Sequence, residues 1–149
     1  MRSAAQRAIE NVRECGAQMG ARAQALRTAS PNVRMSAAER TRTLALCDQL
    51  SAVADEVASG VSGLDAVNAT SVDELQEVLR TLSTLEAQVM QVLAAFTALV
   101  DSLEQAAERD EASEPAYALV IDAAAGMMNS FEKAKSATEA LREMLSGRG

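Results

Sequence analysis

In the stretch LVDSLEQAAE, residues 99–108, Asp101 and Gln105 stand four residues apart. On a helix that spacing sets the two side chains next to each other on one face. A carboxylate beside a carboxamide has two readings: a catalytic pair working on a phosphoryl group carried by a partner protein, or polar surface. Two more carboxylates, Glu104 and Glu108, belong to the same stretch, and Glu86 interrupts an apolar pattern upstream. The chain contains no His, so the commonest general base and commonest metal ligand are missing. Most hydrolase, metalloenzyme and phosphorelay chemistry is thereby disfavoured, and no metal, cofactor or small-molecule substrate is expected.

Cys15 and Cys47 form no CxxC motif. They lie at equal distances either side of Pro31, so an antiparallel hairpin would bring them to similar height. Two readings follow: small reduced core residues, or a pair that bonds in an oxidising compartment. No disulfide is expected.

These residues must be held by helices. Ala, Leu, Glu, Gln, Met and Arg dominate, with only two Pro and three aromatic residues among 149, a composition of strong helix formers. In the third segment Val72, Leu75, Leu79 and Leu82, then Val89, Leu93, Phe96, Val100, Leu103 and Ala107 recur at alternating steps of three and four. That is an a/d heptad pattern, broken only at Glu86. Either the helix rotates slightly so that Leu85 turns inward and Glu86 lies at the edge, or Glu86 is a partner-facing notch that sets register. The fourth segment repeats from Tyr117 through Met127, Phe131 and Thr138 to Leu145, and the first two are looser. Met90, Met127 and Met128, with Phe96 and Phe131, fit either a Met-rich binding surface or core packing. Met127 and Phe131 fall on the seam, which favours the core.

Ser3-x-x-Gln6, Ser36-x-x-Glu39 and Ser71-x-x-Glu74 fit the capping box that opens a helix, and Pro115 suits a first turn. The expected helices lie near 3–29, 36–60, 71–112 and 114–146, within one domain spanning 1–149, with 61–70 as the linker. Short connections favour antiparallel neighbours, so the expected fold is all-α: an antiparallel up-down four-helix bundle with coiled-coil-like packing and long third and fourth helices. At 1.5 Å per residue the third helix is about 60 Å long. Part of its seam is then left for a partner helix or a second copy in a homodimer.

Residues 1–42 carry eight Arg against three acids, whereas 43–149 carry six basic and eighteen acidic groups. Arg27, Arg34, Arg40 and Arg42 gather near the first turn, and Glu104, Glu108, Asp110, Glu111 and Glu114 near the third. An up-down order puts both turns at one end, where opposite charges face each other. Acids at the close of the third helix oppose its dipole, which favours an early turn near Asp110. The net charge of −7 and the lack of aromatic stacking platforms disfavour nucleic acid. No apolar run reaches bilayer-spanning length and no apolar segment follows Arg2, so a cytoplasmic protein without a membrane span is expected.

The Asp101/Gln105 element resembles the D-x-x-x-Q motif of the CheZ family, helical-hairpin phosphatases of the chemotaxis response regulator. The resemblance implies that Gln105 would orient a water for in-line attack on an aspartyl phosphate and that Asp101 would engage a neighbouring lysine. The regulator itself would supply metal and electrophile. A second short stretch, AVADEV within 51–60, is similar to a segment just after the cytoplasmic tip of bacterial chemoreceptors. The residues themselves favour a non-catalytic protein–protein interaction module, an adaptor, chaperone-like or assembly component, with Glu86, Asp101, Glu104, Gln105 and Glu108 as its binding residues. The alternative is a response-regulator phosphatase with Asp101 and Gln105 as the catalytic pair.

Overall fold

Serine marks where three of the helices begin. Ser3 Oγ accepts from the Gln6 amide at 3.1 Å while Gln6 Oε1 accepts from the Ser3 amide at 2.9 Å. Ser71 and Glu74 repeat that box, and Ser36 supplies its forward half, accepting from the Glu39 amide at 3.1 Å. Each such cap contributes about 1 kcal/mol. The computed structural model describes residues 3–64 and 69–148. They form α1 (Ala4–Ala29), α2 (Ala37–Ser62), α3 (Val72–Arg109) and α4 (Glu114–Arg148), with 3-10 turns at Ser30–Asn32 and Glu111–Ser113. No strand occurs among the described residues, and the class is all-α. Part of the 61–70 linker, residues 65–68, lies outside them.

Two boundaries differ from expectation. Helix α2 runs through Gly60 to Ser62, because a glycine lacking positive φ does not end a helix. Helix α3 stops at Arg109 rather than 112. There Asp110 turns extended and its side chain accepts from the Ala112 amide at 3.1 Å, a local bond that competes with helix continuation.

Helix α1 packs most extensively against α4 and α2, α3 packs against α4 and then α2, and α1 touches α3 only lightly. One apolar cluster draws residues from all four, with Met19, Leu50, Phe96 and Met127 almost fully buried. Gly16 allows close approach of α1 and α2: a Cβ there would meet Val57 Cγ1 at 2.6 Å. The a/d seam of α3 needs correction. Val72 is exposed and Leu79 only partly buried, whereas Val78, Leu85, Val92 and Leu99 join the core. A helix with several neighbours buries a wider stripe than a two-stranded seam. Leu85 has turned inward and Glu86 sits at the edge.

At the end holding the first and third turns, Arg34 meets Asp110 at 3.9 Å, as the charge pattern anticipates. The other arginines there work differently. Arg27 bonds Asp48 at 2.7 Å, and Arg40 donates to the Ser30 and Val33 carbonyls at 2.8 and 2.9 Å, holding the first turn closed.

Candidate functional site: the outer seam of α3 and α4

Contacts at both ends fix how α3 and α4 face each other. At one end Arg142 Nη2 donates to Ser83 Oγ at 3.3 Å, and Glu86 lies among Thr138, Arg142, Glu139 and Lys135. At the other, Tyr117 is within electrostatic reach of Glu104, Glu114, Glu108 and Asp101. The two helices therefore run in opposite directions. On α3 the residues between these ends that continue the same three-and-four spacing are Met90, Ala94 and Thr97; on α4 they are Ile121, Ala124, Met128 and the exposed Glu132. Met90 is 49% exposed, Ile121 38% and Met128 39%. Three of the five exposed large hydrophobic residues among the described residues thus lie along one outer seam, closed by carboxylates at one end. Met127 and Phe131, one position away, are in the core, so the methionines divide between interior and surface.

The residues expected from sequence fall on or beside this line. Asp101, Glu104, Gln105 and Glu108 are all exposed. Tyr117 is partly buried, and its hydroxyl is held above the usual phenol range by burial and then by the four carboxylates around it. Four negative groups about one phenol make this end attractive to cations. Asp101 and Gln105 stand on the open surface with no recess around them among the described pockets.

Glu86 marks the opposite end. Its Oε1 is buried without a hydrogen-bond partner, because the Thr138 hydroxyl beside it donates to the Ala134 carbonyl at 3.0 Å. Burial pushes its carboxyl above the ordinary range, Thr138 and Arg142 pull it back, Glu139 raises it and Lys135 lowers it. Cys15 and Cys47 are free and buried, and burial raises both thiols, Cys15 to about 11.

Two grooves elsewhere have mixed polar and apolar linings. One of 240 Å³ between α1 and α4 includes Glu14, Arg22, Asn129 and Lys133. Arg22 is committed there, filling the notch over Gly126 and meeting Asp122 at 3.7 Å. The other, 400 Å³ between α2 and α3, is lined chiefly by Gln49, Glu56, Gln88 and Gln91. Among the described residues no cluster of three or more acidic or thiol groups is placed to hold a metal. By length and composition alone α3 could cross a bilayer, with mean hydropathy 1.3 over its most apolar eighteen residues, a correction to the expectation that no segment reaches that length. Within this fold 39% of that window is buried against the other helices.

No protein-family model, curated protein or solved structure matches the chain.

Sequence reasoning missed the seam as a unit. It grouped Asp101, Glu104 and Glu108 by their stretch of sequence and set Glu86 apart, although steps of fifteen, three and four place all four on one stripe of α3.

Proposed function

We propose that the chain is a non-catalytic protein–protein interaction module that binds through the outer seam of α3 and α4. Its scaffold is an antiparallel up-down four-helix bundle with coiled-coil-like packing. The observation that carries the reading is the alignment of exposed Met90, Ile121 and Met128 between two polar ends. Contiguous exposed apolar side chains rimmed by charge mark binding surfaces, and methionine adapts its shape to partners. A photo-crosslinking residue placed at position 90 or 128 in the producing cell should yield discrete protein adducts, and one at exposed Arg13 on α1 should not. Equal labelling from all three positions would refute the reading.

The phosphatase alternative draws on the shared exposure of Asp101 and Gln105. Against it, Glu104, Glu108 and Glu114 join Asp101 around Tyr117 and would repel a phosphoryl group. Phosphorylated receiver domains should lose phosphate equally fast with wild type, with Gln105→Ala and without protein. Acceleration by wild type alone would restore the enzymatic reading.

A further inference from the structure

We infer that the occupant of the α3/α4 seam is a basic amphipathic helix from another protein, its apolar side on Met90, Ile121 and Met128 and its Lys or Arg residues over Asp101, Glu104 and Glu108. This deepens the proposed function and rests on it. The apolar strip from Met90 to Asp101 extends over about 16 Å at 1.5 Å per residue, or three turns. That length suits apolar anchors at i, i+4, i+7 and i+11 on a docking helix.

Charge selects the partner. Asp101, Glu104, Glu108 and Glu114 are all exposed at one end of the α3/α4 pair, within electrostatic reach of Tyr117, and the chain as a whole carries −7. A second copy matches these carboxylates poorly along the same seam. Laid parallel it would set these carboxylates against themselves. Laid antiparallel it would set them against an end where Arg80 is engaged with Glu77 at 2.7 Å and Arg142 with Glu139 at 2.8 Å, and where the remaining cation, Lys135, lies beside Glu86. An anionic membrane surface is repelled by the same carboxylates.

The test uses the full chain carrying ¹³C-methyl methionine and three synthetic peptides of about 14 residues. One is an amphipathic helix with leucine on one face and lysine on the other; the second has glutamate for lysine; the third has the first peptide's composition scrambled. The lysine helix should shift the Met90 and Met128 methyl signals and leave those of buried Met19 and Met127 in place. The other two peptides should shift none. Asp101→Asn, Glu104→Gln and Glu108→Gln should each weaken binding about two- to fivefold, an effect that fades at high salt.

Equal binding of the scrambled peptide would overturn the helix, and equal binding of the glutamate peptide would overturn the charge selection. Methyl shifts that grow with protein concentration alone would make the occupant a second copy, and shifts on neutral phosphatidylcholine vesicles would make it lipid; either overturns the inference. If no peptide binds while crosslinks still form from positions 90 and 128, the basic helix fails and the proposed function stands. If neither occurs, both fail.

Discussion

Glu86→Gln should stabilise the protein at neutral pH and leave it unchanged in acid. Glu86 Oε1 is buried and unpartnered. Two of its neighbours are engaged elsewhere, Thr138 donating to the Ala134 carbonyl at 3.0 Å and Arg142 to Glu139 at 2.8 Å and Ser83 at 3.3 Å, and Lys135 beside it makes no hydrogen bond to Oε1. Burial therefore dominates and raises the carboxyl above its ordinary 4.5. The folded chain then holds this proton to higher pH than the unfolded chain does. Stability associated with Glu86 is fully present below 4.5 and is lost as pH rises through the folded-state value, beyond which the penalty is constant. Glutamine carries no charge and feels none of this.

Glutamine keeps a polar group at the same place, so the gain comes only from removing a charge that burial disfavours. Glu86 is only partly buried, so solvent screening brings the expected gain to about 1 kcal/mol. In a chain of this size that raises Tm by about 2–4 °C. Urea denaturation of wild type and variant, followed by circular dichroism from below pH 4.5 to neutrality, measures the difference directly. The effects of all other titrating groups cancel in it. A gain that is absent at neutral pH, or that stays constant into acid, would refute the reasoning.

Gly16→Ala should cost about 1–2 kcal/mol, since the added methyl would sit 2.9 Å from Val57 Cβ, an atom that cannot swing away. Gly60→Ala meets the flexible end of Leu85, Cδ1 at 2.9 Å and Cδ2 at 3.1 Å; the better helix propensity of alanine should hold its effect within about 0.5 kcal/mol, and parallel urea melts give the order. Arg40→Ala removes both carbonyl contacts of the first turn and should lose about 1–2 kcal/mol, with faster amide exchange at Val33, whose amide bonds the Ser30 carbonyl across that turn. Cys15 and Cys47 should react with a disulfide reagent at neutral pH only as the fold opens, because the reactive thiolate is suppressed by burial; two thiols should titrate promptly in urea.

Helix existence was legible because its determinants are local. Ser3, Ser36 and Ser71 announce starts through bonds to amides three residues away, and the turn at Asp110 follows from acids set against a helix dipole. The width of the buried stripe was not legible in the same way. Counting only a and d positions omits Val78, Leu85, Val92 and Leu99, whose burial depends on how many neighbours surround α3. The site shows a further limit. Periodicity separates residues that turn inward from those that do not, but it says nothing about what stands across the seam from an outward one. Asp101, Glu104 and Glu108 gain their shared setting from Tyr117, whose position along α3 follows from the short turn between the two helices and their shared core, with Ser83 meeting Arg142 in the same register at the far end. A shift of α4 by one turn would move Tyr117 about 5 Å along the seam and carry it away from part of that acidic group, while every residue kept the heptad position its sequence assigns. The binding surface is thus a property of two helices in register, and substitutions that slip the register should disturb it without touching any residue on it.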